Sequence, residues 1–183
     1  MSAAVSIRRA RPDDVDFLVG LYTHEEVTPF LAAIRPQTPE DVLAVVERSK
    51  AEPDAYGLMV VEADGERAGT MEFERVNARS RIAGLGGLAV HPDFRGRKIG
   101  VEAARQFQRY LFGLGFHRLQ LEIYGFNERA LRHAELAGYV REGVRRKAYW
   151  RNGQWVDGVL YGLVAEDVEG GGAGGGERPA PGP

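Results

Sequence analysis

A basic, glycine-containing segment is the strongest chemical feature of the sequence. It spans residues 91–100, HPDFRGRKIG, after the apolar stretch 85–90 and before a stretch with the apolar spacing of a helix. Its cationic and glycine residues are Arg95, Gly96, Arg97, Lys98 and Gly100. The first amides of a helix lack partners within the helix and carry the positive end of its dipole, so they bind anions. The segment therefore predicts a site for a phosphate or pyrophosphate group.

The same segment lacks the spacing of two common nucleotide-binding motifs. A P-loop places four residues between a glycine and Gly-Lys-Ser/Thr, and a dinucleotide site carries G-x-G-x-x-G. Neither pattern occurs at residues 91–100. A nucleotide triphosphatase is therefore not expected.

Composition is that of an ordinary globular protein. The 183 residues suit one domain, with 44% hydrophobic and 27% charged residues. A net charge of -2 gives no bulk argument for nucleic acid or an anionic membrane. The absence of cysteine excludes disulfides and a cysteine nucleophile, and the four histidines lack metal-ligand spacing, so no metal is expected. No signal-peptide core or membrane-length apolar run occurs, so we expect a cytoplasmic protein.

The elements that must position the basic segment are predicted from apolar periodicity and turn residues. Predicted strands cover residues 5–9, 56–62, 67–74, 82–90, 117–124, 139–149 and 155–164, and predicted helices cover 13–22, 101–114, 128–137 and a segment beginning after Thr38-Pro39-Glu40. Asp64-Gly65 and Asn152-Gly153 are hairpin signals. The strand, helix and strand within 82–124 imply a right-handed crossover and a parallel pair, whose carboxyl ends bind ligands.

Three glycines in the predicted strand 82–90 suggest a second ligand contact. Gly84, Gly86 and Gly87 weaken strand pairing, and interior strand glycines often mark a bulge. A bulge there would turn the amides of residues 88–90 towards a ligand carbonyl. The alternative is a tight packing contact with a helix.

The basic segment resembles the acyl-CoA pyrophosphate loop of the GNAT superfamily of N-acyltransferases, Arg/Gln-x-x-Gly-x-Gly/Ala. Arg95 and Gly100 occupy its first and last places, and Lys98 replaces the middle glycine. Residues 119–130 are similar to the second half-site of the family, a strand that leads to Asn-x-x-Ala, and residues 135–143, ELAGYVREG, resemble Glu-Lys-x-Gly-Phe-x-x-Glu-Gly. Residues 149–157 further resemble the subset that acts on free amino acids, polyamines or ribosomal-protein N-termini.

The resemblance covers residues 5–164 and implies one α/β (α+β) domain. We expect residues 1–168 to form a mixed central sheet of about seven strands with flanking helices, in which a splayed parallel pair forms the acyl-CoA cleft. The Gly/Pro-rich residues 169–183 are expected to be a disordered tail. The implied enzyme is an acetyl-CoA-dependent N-acyltransferase that uses acetyl-CoA as co-substrate and an amine as acceptor. The implied CoA-binding residues are Leu88, Ala89, Val90, Arg95, Gly96, Arg97, Lys98, Ile99, Gly100, Val101, Asn127 and Ala130, with Asn127 close to the pantetheine.

The resemblance also suggests a general base. Glu122 matches the strand glutamate that serves ribosomal-protein alanine N-acetyltransferases, and the alternative is a solvated or salt-bridged strand residue. Glu72 and Glu74 are second choices. In many relatives, a tyrosine that acts as the acid protonating the departing thiolate stands where this chain has Ala134. Some relatives carry a glutamate where this chain has Gly84. His133 is not expected to replace that tyrosine, because successive helix residues point about 100° apart.

Other features leave alternatives open. Glu25, Glu26 and Phe30 would help to hold a cationic acceptor or would belong to a solvated connector. Tyr149, Trp150 and Trp155 would line an acceptor pocket or would only pack a terminal hairpin. The whole chain would be an active transferase or an acyl-CoA-binding sensor without transfer activity. The acceptor amine, the acyl chain preference and the oligomeric state, with a homodimer as one option, stay open.

Overall fold

The computed structural model describes residues 3–32 and 37–169, with only the backbone of Glu169 described. Its strands are β1 Val5–Arg9, β2 Tyr56–Ala63, β3 Glu66–Asn77, β4 Ile82–Val90, β5 Arg118–Tyr124, β6 Val140–Arg151 and β7 Gln154–Val164. Its α-helices are α1 Val15–Thr23, α2 Pro39–Ala51, α3 Ile99–Gly113, α4 Glu128–Leu136 and α5 Ala165–Glu169. None of these helices combines the length and apolarity needed to span a membrane.

The strands form a single mixed sheet in the order β1-β2-β3-β4-β5-β7-β6. Every neighbouring pair is antiparallel except β4 and β5. These two strands pair only from Ile82 with Arg118 to Leu85 with Leu121, and then diverge towards their carboxyl ends. The expected seven-stranded α/β fold with a splayed parallel pair is confirmed.

Helices cover both faces of the sheet because strand side chains alternate between faces. On one face, Leu58 and Val60 of β2 pack with Leu18 of α1 and Val42 of α2. On the other, alternate β2 residues join a larger core with α3 and α4. That main core contains Phe73, Phe107, Leu111 and Leu119. The rings of Phe73 and Phe107 pack edge to face, with their centroids 6.0 Å apart.

Local sequence signals explain most element ends. Thr38 caps α2 by accepting a 3.2 Å hydrogen bond from the Asp41 amide, as expected for a threonine before proline. Asp64 and Gly65 have φ of 53° and 85°, and Asn152 and Gly153 have φ of 51° and 75°, the left-handed values that tight hairpin turns require. Both predicted hairpins are therefore present.

Several strand and helix ends differ from the sequence prediction by one to three residues. The helix expected over 13–22 starts at Val15, because Pro12–Asp14 forms a 3-10 turn. The helix expected over 101–114 begins two residues earlier, at Ile99, because left-handed Lys98 ends the loop. The short helix α5 was not predicted. The predicted tail, apart from Glu169, lies outside the described residues, so the boundary at residue 168 stays a prediction.

Candidate active site

A cavity of about 630 Å³ opens where β4 and β5 diverge. Its wall combines the end of β4 with residues of β3, β5, α1, α3 and α4. Among the residues expected to do chemistry, the wall includes Glu72, Leu88, Glu122, Asn127 and Ala130. The fold therefore brings together two carboxylates that are 50 positions apart in the sequence.

The predicted bulge forms part of the wall of this cavity. Thr70 pairs with Ala89 and Glu72 pairs with Gly86, so two steps along β3 match three steps along β4. Gly87 within this irregularity has φ of 62°, a left-handed value that favours glycine. The bulge leaves Gly87 and Leu88 without partners in the register between β3 and β4, and Leu88 is 42% exposed.

Glu72, rather than a helix, explains two of the strand glycines. A Cβ atom at Gly86 would lie 3.2 Å from Oε1 of Glu72, and one at Gly87 would lie 3.0 Å from Cγ of Glu72. Both distances are shorter than ordinary van der Waals contacts. The glycines thus let the Glu72 side chain lie flat against the bulged strand.

The Glu72 carboxyl group is held in a largely buried setting. The Tyr56 hydroxyl donates a 3.0 Å hydrogen bond to Oε2 of Glu72. Burial raises the pKa of Glu72 above its usual value, although the hydrogen bond from Tyr56 acts in the opposite direction. Tyr22 of α1 also lines the cavity, and burial raises its pKa to about 12. A carboxyl group with a raised pKa is suited to accept a proton near neutral pH.

Glu122 lies in a different environment on β5. Its Oε2 forms a 3.1 Å ion pair with Arg145, whose side chain is 61% exposed. Its Oε1 is buried without a hydrogen-bond partner among the described residues. Tyr149 is adjacent, and its pKa is raised first by burial and then by the Glu122 carboxylate. Glu122 is therefore a cavity residue and also the salt-bridged residue that the sequence left as an alternative.

The basic segment, residues 91–100, has the backbone conformation expected of an anion-binding site. Gly96 has φ of 79° and Lys98 has φ of 59°, so both adopt left-handed conformations before the first turn of α3. Lys98 occupies the helix N-cap position but provides no side-chain hydrogen bond to the cap. The first amides of α3 thus have no side-chain acceptor from the cap residue.

The arginines of this region are already engaged. Arg95 forms an ion pair with the Glu26 carboxylate and donates a 3.2 Å hydrogen bond to the Glu26 carbonyl. Burial lowers the pKa of Arg129, and the charge of Arg95 lowers it further. Arg129 also lies over the ring of Phe30, 5.7 Å from its centroid. Glu26 therefore lies where an anionic ligand of Arg95 would bind.

The other expected CoA-binding residues are not in the wall of the cavity. These are Ala89, Val90, Arg95, Gly96, Arg97, Lys98, Ile99, Gly100 and Val101. Ala89 and Ile99 are buried, with 8% and 1% exposure, so only their backbone groups are suited to meet a ligand. Asn127 caps α4 by accepting a 3.2 Å hydrogen bond from the Ala130 amide.

His133 is a cavity residue that sequence reasoning undervalued. It contributes to the wall beside Ala134, and a Cβ atom at Gly100 would lie 2.8 Å from its Nε2. This nitrogen is buried without a hydrogen-bond partner among the described residues, and burial lowers the pKa of the ring. Its spacing of three from Ala130 on one helix was the available signal, because such residues share a face.

The aromatic candidates divide between the two expected roles. Tyr149 and Phe30 line the cavity. Trp150 and Trp155 instead pair across the β6–β7 hairpin, with ring centroids 5.3 Å apart and 58% exposure each. The tryptophans therefore stabilise the hairpin, as cross-strand aromatic pairs do.

Comparison with known proteins agrees with this geometry. The model of the Acetyltransferase (GNAT) family matches residues 16–139. Over 167 residues the chain is 25% identical to the SPbeta prophage-derived uncharacterized N-acetyltransferase YokL of Bacillus subtilis strain 168, covering 90% of this chain and 92% of that protein.

Solved structures share the fold. Spermidine N-acetyltransferase from Vibrio cholerae, in complex with CoA and spermine, superposes with a TM-score of 0.81 at 18% identity, covering 89% of this chain and 96% of that one. Ribosomal-protein-S5-alanine acetyltransferase from Vibrio fischeri superposes with a TM-score of 0.79 at 17% identity, covering 89% and 94% of the two chains. The cavity therefore belongs to a fold that other acetyltransferases use.

Proposed function

The chain belongs to the acetyltransferase (GNAT) family, as its motifs predicted, and we propose that it transfers an acetyl group from acetyl-CoA to a primary amine. The acceptor class comprises amino acids, polyamines, other small amines and protein N-termini, and the proposal includes a cytoplasmic location. The observation that carries the proposal is the cavity between the diverging strands β4 and β5, where the bulged β4 lies against the Glu72 side chain.

The reaction is a direct transfer within a ternary complex. The neutral amine nitrogen forms a bond to the thioester carbonyl carbon, the carbon–sulfur bond breaks, and CoA leaves as a thiolate. Amides of the bulge near Leu88 hold the oxyanion that develops on the carbonyl oxygen. Holding both substrates in one cavity makes the attack effectively intramolecular, so no covalent intermediate on the protein is required.

Glu72 is the stronger candidate for the general base. An amine arrives protonated near neutral pH and must lose a proton before it attacks. Glu72 lies against the bulge, its pKa is raised by burial, and no arginine pairs with it directly among the described residues. Glu122 is paired with Arg145 and has one oxygen buried, so it is the second candidate.

The basic segment is the part of the chain that we propose binds the phosphates of CoA. The amides at the start of α3 and the side chains of Arg97 and Lys98 are proposed to bind the diphosphate. Arg95 joins them once the phosphate displaces Glu26. Asn127 and the backbone of residues 88–90 are proposed to hydrogen-bond the pantetheine arm.

No tyrosine stands at the position of Ala134 to protonate the departing thiolate. A thiol with a pKa of about 8.5 is a good leaving group, so water is sufficient to take up its charge. Ala134 also favours the second candidate function, an acyl-CoA-binding sensor that lacks transfer activity.

One experiment separates the two candidates. CoA release from acetyl-CoA is followed with a thiol reagent in the presence of spermidine, spermine, single amino acids and a peptide with an N-terminal alanine, while acetyl-CoA binding is measured by calorimetry. Amine-dependent release is the expected result. Binding without release from any amine would favour the sensor, and absence of binding would exclude both functions.

A further inference from the structure

The apolar part of the cavity wall continues into the main core. Six of its side chains are buried members of that core, namely Met71, Ala104, Phe107, Ile123, Ala134 and Tyr139. They come from β3, α3, β5, α4 and the residue before β6. Burial of apolar surface against this wall is favourable, so this part of the cavity suits an apolar ligand.

Alanines keep this part of the cavity open. Ala104 lies on α3, while Ala130 and Ala134 lie one turn apart on α4. All three contribute to the wall, and Ala134 is only 3% exposed. A longer side chain at these positions would project into the space between the helices and the sheet. We call the wall formed by Ala104, Phe107, Ala130 and Ala134 the alanine pocket.

The polar substrate parts do not suit the alanine pocket. The pantetheine arm carries amide and hydroxyl groups, which lose free energy when they are buried without hydrogen bonds. The polar groups of the wall on this side are the His133 ring, whose Nε2 is buried, and the Tyr139 hydroxyl, which lies near Gln108. A cationic acceptor is drawn instead to the carboxyl group of Glu72, which lies on β3. The acyl chain of the thioester is the substrate part that is entirely apolar.

We propose, on the basis of the function proposed above, that the alanine pocket accepts the acyl chain and admits chains longer than acetyl. Propionyl-CoA and butyryl-CoA are then donor substrates, and Ala104 and Ala134 determine how long a chain fits. The chemical step is unchanged: the amine nitrogen bonds to the acyl carbon and the thiolate of CoA leaves. The added methylenes lie against Phe107 and the alanines rather than in water.

Calorimetric titration of the full chain with CoA, acetyl-CoA, propionyl-CoA and butyryl-CoA tests this inference. Each added methylene is expected to tighten binding about threefold to fourfold, so butyryl-CoA binds about tenfold more tightly than acetyl-CoA. In Ala134→Leu, butyryl-CoA and acetyl-CoA are expected to bind with about equal affinity, because leucine occupies the space of the acyl chain. Ala44→Leu, an exposed position of α2 outside the cavity, is the matched control and keeps the preference.

The outcomes separate the inference from the proposed function. Equal affinity of the wild type for acetyl-CoA and butyryl-CoA overturns the inference and leaves the acetyltransferase proposal intact. An unchanged preference in both Ala134→Leu and Ala104→Leu also overturns it. If neither CoA nor any of the three thioesters binds, the proposed function fails. Ala104→Leu, on the opposite helix, supplies the test if thermal melting shows that Ala134→Leu does not fold.

Discussion

The side chain of Glu72 lies directly against the backbone of Gly87. A Cβ atom at Gly87 would approach Cγ and Cδ of Glu72 to 3.0 and 3.1 Å, and Gly87 has φ of 62°. The bulge proposed to hold the oxyanion and the carboxyl group proposed as base are therefore one structural unit. A change in the backbone at Gly87 must move the carboxyl group as well.

Gly87→Ala is expected to reduce stability and activity together. The left-handed conformation costs a residue with a Cβ atom about 1 to 2 kcal/mol, and the displaced carboxyl group should reduce kcat/KM by about tenfold to a hundredfold. Thermal melting and CoA-release kinetics measure the two effects. Gly65→Ala is the matched control, since Gly65 also has a positive φ of 85°, but a Cβ atom there would have no neighbouring atom within 4 Å among the described residues. An equal loss of kcat/KM in both variants would show that only stability is affected.

Glu72→Gln is expected to decrease kcat by about 100-fold to 10,000-fold if Glu72 is the base. Because burial raises the pKa of Glu72 above the ordinary 4.5, activity should decrease as pH falls through this raised pKa and the carboxylate becomes protonated. The plot of activity against pH for the variant should lack this decrease at low pH, which we call the acidic limb. The part of the plot due to ionisation of the acceptor amine should persist. Glu122→Gln should retain the Glu72 limb. The reverse pattern, with the limb lost only in Glu122→Gln, would assign the base to Glu122.

Tyr56→Phe is expected to move the acidic limb to higher pH. The Tyr56 hydroxyl donates a 3.0 Å hydrogen bond to the Glu72 carboxylate, which favours the charged form and opposes the effect of burial on the pKa. Without this hydrogen bond the pKa of Glu72 rises further, so protonation begins at higher pH. The midpoint of the kcat/KM profile against pH measures the shift. A midpoint that stays in place or moves to lower pH would show that Tyr56 does not stabilise the charged form of the group whose titration limits activity.

Lys98 combines a charge with a backbone conformation that glycine prefers. Lys98→Gly should raise the free energy of unfolding by about 1 kcal/mol, because φ is 59° at this position, and raise Tm by about 2 to 4 °C. Lys98→Ala removes the same charge but keeps the unfavourable conformation. Both variants should bind acetyl-CoA more weakly, and only the glycine variant should gain stability. A gain in both would mean that the charge, not φ, destabilises the loop.

Glu26 and a CoA phosphate are expected to compete for Arg95. Glu26→Gln removes the competing charge from an exposed ion pair and should tighten acetyl-CoA binding by up to about fivefold, since such pairs contribute about 0.2 to 1 kcal/mol. Arg95→Ala should weaken binding by about tenfold or more, as the loss of a charged phosphate contact costs about 1.5 to 3 kcal/mol. Calorimetry measures both. Weaker binding in Glu26→Gln would show that Glu26 supports the loop instead of competing for it.

The fold was predictable because its signals are local. The ranges 5–9 and 82–90 match β1 and β4 at both ends, since alternation of apolar residues and flanking turn residues mark them. The start of α3 was misplaced by two residues because a lysine at a position that favours glycine gives no local sign of its left-handed conformation. The helix α5 was missed because five residues are too few for helical periodicity.

The motifs likewise identified the cavity residues Glu122, Asn127 and Ala130, because each lies at a fixed distance from a predicted element end. What only the tertiary structure decided is how these groups are paired and buried. Arg95 meets Glu26 across 69 positions of sequence, and Glu72 meets Gly86 across a strand pair. Local periodicity carries information about which face a residue occupies, but the pKa and partner of a carboxyl group depend on distant side chains that only folding brings near. The sequence by itself therefore determined the architecture and the position of the cleft, and the choice between Glu72 and Glu122 depends on the packed structure.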